Sequence, residues 1–187
     1  FRWIVAPILK HFTSPKYAGL LEYGGSYSGA YLLRRGLFMP WELPKLMDGD
    51  MVKAGWQELQ TLLRLDETIT GMDSNHLKIS ALELSWYMRN QLLRDSDWAG
   101  MAHSLEIRVP LLDIDLFRSL LPMIKSVKPP TKQDMAHAPN KPLPPEILNR
   151  AKTGFSVPVR EWLLNGTQGE GRGLRDWAKF ILSEYKL

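Results

Sequence analysis

Apolar residues along most of this chain recur at intervals of three and four, the spacing that gathers side chains on one face of a helix. Leu84, Met88 and Leu92 repeat every four residues behind Ser80-Ala81-Leu82-Glu83. That tetrad fits a capping box, in which the Ser80 and Glu83 side chains each satisfy a free backbone N–H, so a helix is expected over 80–94. Leu116, Phe117, Leu120, Leu121 and Ile124 form an apolar stripe that Asp115 can cap, and the stripe is expected in the core. A basic, Pro-rich break follows at 125–130. Upstream, 31–36 reads as a helix end closed by Gly36, and 51–64 carries Val52, Trp56, Leu59 and Leu63 at helical spacing. Downstream, Pro145 and Pro158 stand where a first helical residue tolerates a missing N–H. Leu174, Trp177, Ala178, Ile181 and Leu182 make the face of a last helix. With no internal repeat and no alternation of strands with helices, the chain is expected to be mainly α.

Composition narrows the class. A chain of 187 residues suits one domain with a single core. Its apolar share of 44% and charged share of 24% are those of a folded soluble protein, which excludes a disordered or fibrous chain. Cys is absent, so disulfides, thiolate metal ligands and Cys nucleophiles are excluded, and a reducing, cytoplasmic setting is expected. No apolar run approaches the length of about 18 residues that suggests a membrane span. The opening Phe1 is neither an initiator Met nor part of a signal-peptide layout, so the chain is expected to begin inside a longer protein. Seven Trp and eight Met fall at helical spacings and are expected to fill the core.

Charge and candidate chemistry refine the picture. Across 118–160, Arg118, Lys125, Lys128, Lys132, Lys141, Arg150, Lys152 and Arg160 stand against only Asp134 and Glu146. Such a zone can face water, the phosphates of a small ligand, or nucleic acid, so a helical nucleic-acid-binding module is a competing reading. The Pro-rich break argues against it, because it interrupts any continuous reading helix. His11, His76, His103 and His137 show no i, i+4 pair, so no metal is assigned to protein ligands. Tyr23-Gly24-Gly25-Ser26-Tyr27-Ser28 lacks the Ser and Asp of a Ser-Gly-Gly-x-Asp-Ser phosphate loop, and no apolar strand precedes it; it reads as a turn.

In 106–113, Pro110 pushes Val109 toward an extended conformation. Alternation along an extended segment then puts Glu106 and Arg108 on one side, with Ile107 and Val109 on the other. The pair is either a surface ion pair worth at most about 1 kcal/mol, or a partly buried one that fixes the segment beside a ligand. Asp95 and Asp97 follow Arg94 at the end of the expected 80–94 helix, where acids oppose the macrodipole, a mild hint of function. Lys152 follows a short helix, with Gly154 permitting a tight turn and Phe155 offering an anchor, an arrangement that would hold the ammonium in place.

Two blocks carry a family likeness. One is Arg94-Asp95-x-Asp97-x-x-x-Met101-Ala102-x-Ser104-Leu105-Glu106-x-Arg108-Val109-Pro110-x-Leu112-Asp113. The other runs Leu143-Pro144, then Asn149-Arg150-x-Lys152-x-Gly154-Phe155, Pro158 and Trp162. In order and spacing the chain resembles the C-terminal part of the synthetase domain of glutamine-dependent asparagine synthetases. Thr131-Lys132-Gln133-Asp134-Met135-Ala136 resembles the family's Lys-led helix start, and Phe1-Arg2 looks like the residues after its Gly-Asp-Glu motif.

The resemblance implies that 1–187 is the helical C-terminal portion of an adenine-nucleotide α-hydrolase-like, ATP-pyrophosphatase domain, with the nucleotide-binding half missing. It implies a ligase that activates aspartate as an acyl-adenylate and amidates it with ammonia from a glutaminase domain of the same polypeptide. ATP and Mg²⁺ would be held mainly by the missing half. Lys152 matches the family's phosphate-contacting Lys and is the catalytic candidate. Glu106, Arg108 and Asp113 are candidates for site support, and Asp95 and Asp97 for positioning substrate or loop. No nucleic acid or membrane partner is expected, and a homodimer stays open. A relative that amidates or cyclises another carboxylate is the alternative within the same chemistry. Alone, the chain is expected to be inactive.

Overall fold

The computed structural model describes residues 15–141, 143–151 and 174–185. The chain enters through two short helices, α1 (Pro15–Ala18) and α2 (Leu20–Tyr23), and turns at Gly24 and Gly25 into α3 (Tyr27–Arg35). Ser26 starts α3: its backbone is extended and its Oγ accepts the Gly29 N–H at 3.0 Å. Gly29 has to be glycine, because a Cβ there would stand 2.1 Å from the Tyr23 carbonyl oxygen. Gly36 closes α3 as expected, donating its N–H to the Leu32 carbonyl at 2.7 Å.

The apolar stripe expected over 51–64 is split between two helices. α4 (Gly49–Leu59) is capped by Asp48, whose Oδ1 accepts from Asp50 and Met51, and α5 spans Thr61–Ile69. Between them Gln60 takes left-handed backbone angles, φ 45° and ψ 43°. Side-chain spacing carries no mark of a single reversed residue, so the break was invisible to periodicity. Leu59 and Leu63 stay more than half or half exposed, and it is Leu65 that is buried.

The helix expected over 80–94 is the middle of a longer rod. Ser74 caps α6 (Asn75–Leu82), accepting the Leu77 N–H at 3.4 Å. The rod continues without interruption through a π-helical segment, Glu83–Leu93, into α7 (Arg94–Met101). Ser80 and Glu83 therefore lie inside it, where helix carbonyls already take the backbone N–H groups, and no capping box is needed. Asp95 and Asp97 are likewise not at a helix end but in the first half of α7, where the dipole of the C-terminus has faded.

The core forms where α3, α5 and the rod meet. Tyr31, Leu65 and Leu82 are buried there, with Tyr27, Ile69 and Trp86 packed around them. Trp86 Nε1 donates to Thr68 Oγ1 at 3.0 Å, and Arg35 bonds the Glu83 carboxylate while its guanidinium lies 3.5 Å from the Tyr87 ring centre. Ala18, Leu33 and Met39 are buried nearby. The last described helix, α11, is Arg175–Tyr185. Arg175 donates to the Leu37 carbonyl at 2.7 Å, pairs with Glu42, and sits 4.3 Å over the Phe38 ring. Trp177, Ala178, Ile181 and Leu182 on its expected apolar face are half-buried.

Beyond Met101 the chain runs through a turn and a 3₁₀ turn (Pro110–Leu112) to α8 (Ile114–Ile124), α9 (Lys132–His137) and α10 (Pro145–Leu148). The α8 stripe is not core: Leu116, Phe117 and Leu120 are 37–39% exposed, and 101–151 holds no buried residue among those described. The exposure of these side chains shows that no described residue covers the stripe fully. Trp98 and several Met side chains fail the core-filler expectation. Met39 is fully buried, but Trp98, Met51, Met101, Met123 and Met135 are each more than half exposed.

No strand occurs among the described residues, and the mainly α class holds. No described helix is long and apolar enough to cross a membrane.

Candidate functional site

The first sequence block forms one continuous body around the end of α7. Gly100 organises it: its carbonyl accepts the His103 N–H at 2.9 Å and the Leu105 N–H at 3.0 Å, after Ser104 has turned the chain at φ 58°. A Cβ on Gly100 would meet the Leu105 carbonyl oxygen at 2.7 Å and Ile107 Cδ1 at 3.0 Å. The extended segment 105–109 is thus folded back against the helix on its Ile107 side. Glu106 and Arg108 project together on the other side, as alternation requires. Arg108 Nε lies 3.0 Å from Glu106 Oε1 and Nη2 3.3 Å from Oε2, a forked pair. With side chains 81% and 70% exposed, it is the surface pair and not the partly buried one. Its worth to stability is at most about 1 kcal/mol, so its value lies in geometry.

Asp113 has a defined structural job. Its Oδ1 accepts the Asp115 N–H at 3.0 Å and the Leu116 N–H at 2.8 Å, which makes Asp113, not Asp115, the cap of α8. The 3₁₀ turn at Pro110 starts the helix at Ile114, two residues earlier than a start capped by Asp115, and so selects the first of the two aspartates. Asp115 pairs instead with Arg118 at 3.4 Å. On α7, Asp95 pairs with Arg94 at 3.4 Å, Arg94 lies 4.9 Å from the Trp98 ring centre, and Asp97 is exposed. Asp95, Asp97, Glu106, Arg108 and Asp113 therefore all belong to the stretch from α7 to the start of α8. Lys152, with Gly154, Phe155, Pro158 and Trp162, lies outside the described residues, as do Phe1 and Arg2.

The second half of the body contains the capping box that was expected elsewhere. Thr131 Oγ1 accepts the Asp134 N–H at 3.2 Å, while the Asp134 carboxylate takes the Thr131 hydroxyl at 2.6 Å and its N–H at 2.7 Å. Those bonds, first the hydroxyl and then the backbone, hold the Asp134 carboxyl below its usual range. Arg118, Lys125, Lys128, Lys132, Lys141 and Arg150 are all exposed and are spread over α8, α9 and the connecting segments, while Lys152 and Arg160 lie outside the described residues.

Two buried or half-buried polar clusters escaped the sequence reading. One is Arg35, Glu83 and Tyr87 beside Tyr31, whose phenol is raised above its usual pKa by burial and then by the Glu83 charge. The other is Arg175 with Glu42, partners 133 residues apart, which no local pattern could have joined. Among the described residues no three His, Asp or Glu side chains gather as a metal donor set, so Mg²⁺ coordination is assigned to none of them.

Comparison with known proteins gives this geometry its context. The asparagine synthase family model matches residues 25–186. Asparagine synthetase [glutamine-hydrolyzing] 1 of Bacillus subtilis (strain 168) is 33% identical over 110 residues, which is 57% of this chain and 16% of that protein. The putative asparagine synthetases [glutamine-hydrolyzing] of Mycobacterium bovis and Mycobacterium tuberculosis are 36% identical over 104 residues, 54% of this chain and 15% of each relative. The chain thus spans about a sixth of the length of the curated relatives it matches. No solved structure matches it. A match to the family over most of its length, on a helical chain that carries both sequence blocks in order, means that the chain belongs to the asparagine synthase family, whose fold is adenine-nucleotide α-hydrolase-like.

Proposed function

We propose that residues 1–187 form the C-terminal helical part of the synthetase domain of an asparagine synthetase, lining one wall of a site that activates aspartate with ATP. The observation that carries this reading is the family match over 25–186, which takes in both the 94–113 and the 143–162 blocks. The nucleotide-binding half would lie elsewhere in the polypeptide, and the setting would be cytoplasmic. In the proposed reaction a side-chain carboxylate oxygen of aspartate attacks the α-phosphorus of ATP. The new P–O bond forms as the bond to pyrophosphate breaks, and negative charge grows on the α-phosphate and on the leaving group. Ammonia released by a glutaminase domain then attacks the acyl carbon, and AMP departs with the electron pair of the broken C–O bond.

This chain's residues act on charge and shape. Lys152 holds a cation against the phosphate oxygens, and such a fixed charge in a water-poor site is worth several kcal/mol, or roughly 10²–10³ in rate. Gly100 and Ile107 seat the extended segment, Glu106 and Arg108 fix its outer edge, and Asp113 sets the start of α8. These three side chains support the wall and make no bond to reacting atoms. Asp95 and Asp97, exposed carboxylates on α7, offer acceptors for the substrate's α-ammonium group.

The test is ATP–pyrophosphate exchange in the polypeptide that carries the whole domain. Aspartate is expected to support exchange, and Lys152→Ala is expected to lower the rate by about 10²–10³ with little change in protein stability. Unchanged exchange in Lys152→Ala removes Lys152 from the mechanism. Exchange with another carboxylate and none with aspartate would instead indicate a related amidotransferase or cyclising synthetase.

A further inference from the structure

The π-helical segment Glu83–Leu93 is 11 residues long, whereas π geometry ordinarily occurs as single-turn bulges inside α-helices. Its side-chain anchors are all in its first half. Glu83 is bonded by Arg35, Trp86 by Thr68, and Tyr87 lies under the Arg35 guanidinium. From Met88 to Leu93 there is nothing comparable: residues 89–92 are exposed whereas 83–88 are half-buried, Leu92 is 45% exposed, and the side-chain bond there runs between the neighbours Arg89 and Asn90. Downstream, α7 and the 105–109 segment are tied to each other through Gly100 and Ile107. A firmly held body and a second body are therefore joined by six weakly held residues in the less favourable of two helical registers.

We propose that residues 88–93 are a rotary hinge with two registers, π and α, whose fixed side is the Arg35–Glu83–Tyr87 and Trp86–Thr68 contacts. A π-helix needs roughly 4.4 residues per turn against 3.6 in an α-helix, so rewinding six residues turns everything beyond them by roughly a third of a turn about the rod axis. Asp95, Asp97 and the 105–113 segment move as one body, because the hydrogen bonds at Gly100 are untouched by the change. The hinge sets which way these side chains face relative to the α3–α5 core. It stands whether or not amidation of aspartate is the reaction, since it rests on backbone geometry and anchors alone.

Residues 1–187 contain no Cys, so no native thiol within them competes with the labels. Nitroxide pairs at Glu67→Cys with Ser96→Cys, and at Glu67→Cys with Ala99→Cys, view α7 from two directions, so a rotation must change at least one distance. In the full chain, pulsed electron–electron measurements are expected to show two distance populations for at least one pair, their maxima on the order of 10 Å apart given the width of a helix with its side chains. Asn90→Ala with Gln91→Ala, which favours the α register, is expected to shift weight between them severalfold. Amides of 88–93 are expected to exchange at least tenfold faster than those of 83–87. One narrow distance for both pairs, unmoved by the double substitution, overturns the proposal. Should the double variant fail to fold, a single narrow distance in the unsubstituted chain with uniform exchange across 83–93 overturns it equally.

Discussion

Asp113 is the residue whose role the structure redefines most. Two aspartates precede the α8 stripe, and cap chemistry favours either, so sequence alone had no ground for choosing the first. Removing the cap by Asp113→Ala is expected to cost about 1 kcal/mol, read as a lower urea midpoint at unchanged slope, whereas Asp115→Ala should cost only a few tenths. Asp134 offers a pH test. Its folded carboxyl is held low by the Thr131 hydroxyl and backbone N–H, so its contribution is complete above the unfolded Asp value and is lost as pH falls through the depressed one. Carboxyl-carbon NMR should show Asp134 titrating below free aspartate, with Thr131→Ala bringing it back toward the ordinary value. The Glu106–Arg108 pair was legible as a pair, because alternation along an extended segment is a backbone property. Its exposure was not, because that depends on what else lies beside it.

At the scale of elements, periodicity located the helices and missed their junctions. The 3.6-residue repeat survives a left-handed residue and a change of helical register, so Gln60 and the π segment left no trace in the apolar pattern. The same blindness placed a capping box at Ser80, inside a rod, and passed over the one at Thr131, where Asp134 stands in place of the usual Glu or Gln. Gln60→Gly is expected to stabilise by up to about 1 kcal/mol, since relief of the left-handed backbone outweighs the added freedom of the unfolded chain; a thermal melt would show it as a raised midpoint. Gly100→Ala should do the opposite by about 1–3 kcal/mol, because the Leu105 carbonyl is backbone and cannot swing away from the new methyl. Its specific mark is faster amide exchange at Leu105 while α3 and α5 keep their protection.

At the scale of the molecule, burial among the described residues is confined to 18–100, and the basic, apolar-striped 101–151 stretch is open. The stripe was legible as an amphipathic face; that it lacks a cover within the described residues was not, since a sequence records which residues are apolar and not what they meet. The isolated chain is accordingly expected to bind a hydrophobic dye and to show no micromolar ATP–Mg²⁺ binding by calorimetry; micromolar binding would overturn the assignment of the nucleotide to another part of the polypeptide. The placement of Arg175 against Leu37 and Glu42 has a consequence for how the molecule is made. The Thr68–Trp86 contact closes 18 residues and the Glu42–Arg175 contact closes 133. The longer closure costs roughly 2 kcal/mol more chain entropy, and during synthesis its second partner leaves the ribosome after all of residues 15–151. The α3–α5 core can therefore be complete while α11 is still being translated, and docking of α11 becomes the late step. A stalled nascent chain ending before residue 174 should already resist protease across 27–86, whereas the 37–42 segment should gain its protection only once Arg175 has emerged.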